Sequence, residues 1–379
     1  MLHPLRSVLV GGTFVAVLGG GALAQFFDID SPTSLSENRT KATVPRFNVP
    51  GRTIPIFTRD VDRWFSDNFQ LRDALIRAHG RVRNRWLSTP SSPLVIFGTE
   101  GWLYYTGESS LGFARRANPF TAAEIRQVAD VLAQRTRSLA ARGTLYLLMV
   151  TPNPATIYPE HQPRWLQQLA PGPSRFDQLI AVASQRNLFT VVDPRASLLA
   201  AKAASPDLLY RPTDTHWNDR GAYLGYRALL LGMAHAVVAA GVRAFDVPAP
   251  QPPESFTVTR VDTTGGDMAA LLGMTDRYRE TLDVIVPMHS RLANAIPLAE
   301  RMQADFATAW RGAASGPRVL VFRDSYFNAM LPFFAESFAR VRYVLGPYRE
   351  SIVAQEKPDI VVEEMVERYL AVPRFVTPR

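Results

Sequence analysis

The sequence predicts an α/β fold: a mostly parallel sheet with helices on both faces. Two observations carry this. From Thr121 onward, apolar runs of strand length alternate with segments of helical spacing, the pattern of repeated βαβ units. Several of those runs, such as Leu145 to Val150, are continuously apolar rather than alternating, as expected of strands buried on both faces.

The elements follow in chain order. Met1 to Arg6 is short and carries Arg6, Ser7 to Ala24 is uncharged and apolar, and Ala22-Leu23-Ala24 closes it with small residues. Residues 1–24 therefore read as a secretory signal peptide or an uncleaved signal-anchor, the alternative being an internal hydrophobic helix. Eighteen residues, 7 to 24, fall short of the roughly 20 that a spanning helix needs. Residues 25–60 are polar and contain proline, an extended lead-in to a domain covering 61–379. Val61 to Trp86 has helical spacing, and Val95 to Phe97 and the segment up to Tyr105 read as two short strands around a glycine turn.

Thr121-Ala122-Ala123-Glu124 is a capping box for a helix that runs to Arg142 and stops at Gly143. Strand Leu145 to Val150, helix Phe176 to Arg186, strand Phe189 to Val192 and helix Arg195 to Ala204 come next, then a helix from Asn218 to Ala240. Residues 247–253 are a proline-rich loop. Residues 255–315 are the least regular, with strand-like pieces at Phe256 to Val261 and Val284 to Val286. The end returns to α/β: strand Val319 to Phe322, helix Tyr326 to Phe338, strand Val341 to Leu345, helix Arg349 to Glu356 and strand Ile360 to Val362.

Composition narrows the chemistry. The chain has 379 residues, 47% of them hydrophobic, and no cysteine, which excludes thiol nucleophiles, thiolate metal sites and disulfides. Net charge is +8, and losing Arg6 with the leader leaves +7. The only lysines are Lys41, Lys202 and Lys357, and there is no basic run, so nucleic-acid binding is not expected.

The candidate chemistry lies in two short motifs. Asp214-Thr215-His216-Trp217 brings a carboxylate and an imidazole two positions apart, and Arg323-Asp324-Ser325-Tyr326 puts a serine after an apolar strand. In an extended segment residues i and i+2 point the same way, so Asp214 can fix the His216 tautomer and leave Nε2 to take the Ser325 proton. The Ser325 amide is a candidate oxyanion donor. Asp324 or Ser325 as a plain helix cap, and His216 as a metal ligand or surface loop residue, are the competing readings. Both motifs follow apolar runs, Val319 to Phe322 and Leu208 to Tyr210, and active sites of such sheets lie beyond the carboxyl ends of strands. Asn153, after the strand Leu145 to Val150, is a candidate oxyanion donor. Arg323, Tyr326, Trp217 and Tyr158 are candidate oxyanion or substrate contacts, with core packing the alternative for the aromatics. No metal site and no cofactor are expected.

At these motifs the chain resembles the SGNH-hydrolase-like proteins of the alginate O-acetyltransferase group, also known by an Asp-His-His-Trp-type motif. The resemblance is carried by Glu37-Asn38-Arg39, Asp67-Asn68-Phe69 with Arg72-Asp73, Gly98 to Tyr105, Ile157 to Glu160, the Asp214 and Ser325 motifs, and Pro358-Asp359-Ile360-Val361. It implies an exported enzyme, periplasmic and either soluble or anchored to the inner membrane, that O-acetylates a bacterial polysaccharide. It implies Ser325 as nucleophile, His216 as base and Asp214 as orienting acid, in a chain order opposite to ordinary SGNH esterases. The implied partners are a polysaccharide acceptor and a membrane-bound acyltransferase as acetyl donor. This sequence has Pro154 where relatives often carry Lys, and Arg323 where Gly is usual. A polysaccharide acetylesterase using the same triad, a non-catalytic export or binding protein, and a chelator-sensitive metal hydrolase are the alternatives.

Overall fold

The computed structural model describes residues 11–12, 42–46, 53–68, 90–168, 172–241, 245–288, 305–309, 316–371 and 374–375. The leader segment, most of the lead-in including Glu37 to Arg39, and the Phe69, Arg72 and Asp73 positions lie outside the described residues. The chain divides into two compact units.

The first unit comprises residues 1–95 and 267–278. Its main described helix, α1 (Ile54–Asn68), begins inside the predicted extended lead-in. Pro55 at its start is compatible, because the first-turn amides have no helical partner anyway. Asp67 accepts from the Ala42 amide at 3.0 Å, and Asn68 donates to the Ala42 carbonyl at 3.1 Å. This motif pair therefore pins an upstream segment.

The second unit comprises residues 96–266 and 279–379 and is the α/β body. The strands β1 (Val95–Phe97) and β2 (Leu103–Tyr105) form a small sheet of their own. Helix α2 (Ala122–Ala140) starts at the predicted capping box: the Glu124 amide donates to Thr121 Oγ1, and Glu124 accepts from the Thr121 amide. Then come β3 (Leu145–Thr151), α3 (Arg175–Arg186), β4 (Thr190–Val192), α4 (Arg195–Ala204) and α5 (Asp219–Ala239). An antiparallel ribbon, β5 (Phe256–Thr264) with β6 (Arg279–Pro287), precedes β7 (Asp305–Ala309), β8 (Arg318–Arg323), β9 (Arg340–Leu345), α6 (Glu350–Glu356) and β10 (Ile360–Val366).

The main sheet has the order β4-β3-β10-β8-β9-β7. Every pairing is parallel except β7 with β9, at the edge. Both faces are buried. Leu147, Met149, Val319, Val321, Ile360 and Val362 point into one core with α5, and their alternate neighbours, such as Leu148, Leu320 and Val361, point into the other with α2 and α3. This two-sided burial explains the continuous apolar strands. It also explains α5, which by length and composition is apolar enough to cross a membrane: Ala222, Tyr226, Leu229 and Met233 lie in the core.

Four expectations change. Strand β10 runs on to Val366 through Glu363 and Glu364, because both acids find partners: Glu363 meets Arg135 and the Tyr146 hydroxyl (2.7 Å), and Glu364 accepts from Thr151 Oγ1 at 3.1 Å. The predicted helix Tyr326 to Phe338 is broken into a 3₁₀ turn, Ser325–Ala329, and a short helix, Leu331–Phe334. Pro332 has no amide hydrogen and its ring obstructs the preceding turn, so one continuous helix cannot form there. Leu208 to Tyr210 is not a sheet strand; Tyr210 makes only an isolated antiparallel bridge to Trp217. The Asp214 motif thus sits in a loop closed on itself, not beyond a strand of the main sheet. Edge strand β7 falls in the segment the sequence left unreadable.

Candidate active site

Ser325 follows β8 at the carboxyl edge of the sheet, on the first residue of the 3₁₀ turn. Asp324 is the cap: its Oδ1 accepts from the Tyr326 amide at 2.8 Å and its Oδ2 from the Val366 amide at 2.7 Å. The Asp324 amide in turn donates to Glu364 Oε2 at 3.0 Å. The serine turn is therefore tied twice to the neighbouring strand β10. Burial, then the nearby Asp324 charge, push the Glu364 carboxyl well above the usual range, against the hydrogen bonds and Arg323 that oppose the shift.

The base loop closes above this turn. His216 Nε2 lies 2.8 Å from Ser325 Oγ, and His216 Nδ1 lies 2.8 Å from Asp214 Oδ1. The same carboxylate oxygen accepts from the His216 amide at 3.0 Å. Thr215 Oγ1 is also near Nδ1, at 3.1 Å. Burial alone would raise the Asp214 carboxyl, but the hydrogen bond and charge of His216, with Arg211 at 3.2 Å, hold it well below the usual carboxylate range. With Asp214 ionised, Nδ1 keeps its proton and Nε2 presents its lone pair to the serine.

Residues that the motif search missed hold the loop. Arg211 bridges Asp214 and Glu280 Oε2 (2.8 Å) and donates to the Thr264 carbonyl at 3.1 Å. Glu280 Oε1 accepts from the Thr213 amide at 3.0 Å and from the Thr213 hydroxyl. Gly266 donates to Thr213 Oγ1 at 2.8 Å. Arg211, Thr213 and Asp214 are thus clamped by the β5–β6 ribbon. No local spacing links Glu280 or Gly266 to the motif, so only the fold reveals them.

The other candidates fall differently. Asn153 sits at the end of β3, where its Nδ2 donates to Glu367 Oε1 at 3.1 Å and its Oδ1 accepts from Arg368 Nη1 at 2.9 Å. Its side chain is engaged with residues following β10. Arg323 is 1% exposed and donates to Asn328 Oδ1 at 2.6 Å. It braces the serine turn from inside rather than facing substrate, and this interior position is compatible with its replacing the usual Gly. Tyr326, Trp217 and Tyr158 are all buried. The Tyr326 hydroxyl donates to the Thr215 carbonyl, and Trp217 Nε1 donates to the Tyr326 carbonyl at 2.9 Å. The Tyr158 hydroxyl accepts from the Leu209 amide at 3.0 Å. Tyr326 and Trp217 join the base loop to the serine turn, Tyr158 ties Leu209 to the segment after β3, and none of the three has an open face for stacking on a sugar. Their role as substrate contacts is thus corrected to positioning.

Arg368, also unforeseen, is nine-tenths buried beside Tyr326 and pairs with Glu108 at 3.0 Å. Burial would weaken its charge, but Tyr326, Tyr369 and Asp324 raise its pKa and keep the guanidinium ionised.

The fold resembles that of Bacillus cereus PatB1 solved with a sulfonyl adduct, with TM-score 0.53, 14% identity, 75% of this chain covered and 100% of that one. The O-acetyltransferase domain of Pseudomonas putida AlgJ gives TM-score 0.45 at 20% identity, covering 75% of this chain and 93% of that one. A DHHW family protein from Eubacterium siraeum gives 0.47 at 16%, covering 66% and 89%. No curated protein matches the chain significantly. The SGNH hydrolase-like domain described as acetyltransferase AlgX matches residues 95–296, a span that includes Asp214 and His216 and ends before Ser325. Because that match spans more than half of its length, the chain belongs to the AlgX family of SGNH hydrolase-like acetyltransferases.

Proposed function

We propose that this chain is an exported O-acetyltransferase that moves an acetyl group onto hydroxyls of a bacterial exopolysaccharide or cell-surface polysaccharide. The observation that carries the mechanism is the unbroken relay Asp214–His216–Ser325, with both links at 2.8 Å. Ser325 Oγ attacks the acetyl carbonyl carbon and passes its proton to His216 Nε2. Collapse of the tetrahedral adduct breaks the bond to the leaving group, which takes that proton from His216. A sugar hydroxyl then attacks the acyl-serine, gives its proton to His216, and the released Ser325 oxygen recovers it.

The Ser325 amide is the oxyanion donor in this reading. The Tyr326 and Asp324 amides are bonded to the Asp324 and Glu364 carboxyl groups, whereas the Ser325 amide has no hydrogen-bond partner among the described residues. A preorganised donor of this kind contributes about 3–4 kcal/mol to acyl transfer. The acetyl group comes from a membrane-bound acyltransferase, and the uncharged leader Ser7 to Ala24 delivers the chain to the periplasm, soluble or attached to the inner membrane.

The test uses the protein from residue 25, wild type and Ser325→Ala, with an activated acetyl ester and a panel of bacterial polysaccharides, read by intact mass. An adduct on the wild type only, passing to sugar, supports the transferase. Loss to water alone makes the protein an esterase. Equal ester turnover in both proteins with no adduct removes Ser325 as nucleophile. PatB1 was solved with a sulfonyl adduct, so a sulfonyl fluoride is a second probe for the same serine.

A further inference from the structure

Strand β10 ends beside the serine turn. It pairs with β8 in register, Glu363 opposite Phe322. Arg368, two residues after β10, and Ser325, two after β8, therefore leave neighbouring strand ends. Arg368 is 8% exposed. Its guanidinium lies among three phenol rings, 5.5 Å from the centroid of Tyr105, 5.6 Å from that of Tyr326 and 5.3 Å from that of Tyr369. Nε donates to Glu108 Oε2 at 3.0 Å, and Nη1 donates to Asn153 Oδ1 at 2.9 Å. The Tyr369 hydroxyl donates to the other Glu108 oxygen at 3.1 Å, so ring, carboxylate and cation close on one another.

A buried cation is costly unless it is paired, and pairing does not make it a source of stability, because apolar replacements of buried ion pairs are often neutral or stabilising. Stability alone therefore does not account for an arginine here. What distinguishes the position is Tyr326, where the serine turn meets the base. The Tyr326 hydroxyl donates to the Thr215 carbonyl, its ring centroid lies 5.0 Å from that of His216, and its carbonyl accepts from Trp217 Nε1. One phenol thus packs against both the imidazole and the guanidinium. The cavity that Arg368 borders with Tyr105, Asn153, Asp214 and Thr215 has a volume of about 20 Å³, room for about one water and too little for a sugar ring. Arg368 reaches the chemistry through its neighbours.

We propose that Arg368 is a positioning residue for acyl transfer: its cation–π contact clamps the Tyr326 ring, and Tyr326 in turn fixes the Thr215 carbonyl and the His216 imidazole. The fork matters as well as the charge. A planar guanidinium bonds Glu108 and Asn153 at once and so holds a set orientation over the ring, whereas a lysine ammonium is a point charge on a flexible stem. This inference rests on the reading of Ser325 as the acylated nucleophile.

The test measures single-turnover acylation of the full chain by 4-nitrophenyl acetate, with urea unfolding alongside. Arg368→Met should slow acylation about tenfold, and so should Tyr326→Phe, which lacks the hydroxyl held on Thr215. The double variant should be no more than about threefold slower than either single one, because both changes cut the same chain of contacts. A loss of about a hundredfold in the double variant, the product of independent effects, overturns the proposal. An acylation rate in Arg368→Met within about twofold of wild type does the same. A merely structural arginine would lower the urea midpoint and leave the rate of the folded protein unchanged. Arg368→Lys keeps the charge but not the fork and should lose about threefold. That variant decides the matter where Arg368→Met does not fold, and a wild-type rate in it overturns the proposal. Absence of an acetyl adduct on wild-type Ser325 in the mass experiment removes the acyl-enzyme reading and this one with it. An adduct on the wild type, with wild-type rates in the Arg368 variants, removes this one alone.

Discussion

Gly266→Ala disables the base loop without replacing any residue of the relay. A Cβ at Gly266 would stand 2.4 Å from Asp214 Oδ2, 2.6 Å from its Cβ and 2.8 Å from its Cγ. Real Cβ atoms stay beyond 3.0 Å, so the carboxylate must retreat by about 0.6 Å. Gly266 is not among the positive-φ glycines, so backbone strain adds nothing and the effect is purely steric. Asp214 holds both Nδ1 and the amide of His216 through one oxygen, and moving it swings the imidazole off Ser325. Misplacing a catalytic group by 1 Å costs about 100-fold, so a loss of roughly 10- to 100-fold in turnover is expected. Overpacking costs about 1–3 kcal/mol of stability, which leaves a folded protein to assay. Burst kinetics with an activated acetyl ester, paired with urea unfolding, measure the two effects together. Turnover within twofold of wild type would refute the claim that Gly266 sets the position of Asp214.

Two further substitutions separate charge from shape. Asp214→Asn should lower kcat by about 10⁴-fold, because the amide favours the wrong imidazole tautomer while leaving the geometry in place. In the wild type Asp214 is held well below the usual range, so the acid limb of kcat/KM should follow one ionisation, that of the imidazole; a two-proton limb speaks against this. Glu364→Gln should change how stability depends on pH. The folded pKa of Glu364 is raised, so the protonated form is favoured by folding. That stability is present below the unfolded pKa and is lost as pH rises through the folded one. Unfolding midpoints measured from acid to alkaline pH should decline upward in the wild type and flatten in the variant.

The α/β body was legible because burial on both faces writes strands as continuous apolar runs, and because Thr121-Glu124, Gly143 and Asn218 mark helix ends by chemistry that is local. Asp214 and His216 were legible for the same reason: their partnership is set by a two-residue spacing. What escaped depends on distant partners. Glu363 and Glu364 read as a strand end until Arg135, Thr151 and the Asp324 amide are seen to satisfy them. For Tyr158, Trp217 and Tyr326 the sequence leaves substrate contact and core packing both open, because composition does not say which face of a ring is covered.

The two halves of the relay are held by different substructures. Ser325 is fixed by the main sheet through Asp324, Val366 and Glu364. The base loop is fixed by the β5–β6 ribbon through Glu280 and Thr264. Glu280 is therefore a positioning residue: it touches no reacting atom but sets where His216 stands. Glu280→Ala removes three acceptor contacts, two to Thr213 and one to Arg211, and should lower kcat about 10- to 100-fold. Acylation and deacylation should slow together, because His216 serves both. Glu280→Gln keeps an oxygen for Thr213 and should recover part of the rate, a rescue that general destabilisation would not give. Single-turnover acylation and steady-state rates for both variants decide it, and wild-type rates in the alanine variant would mean that the ribbon does not hold the base.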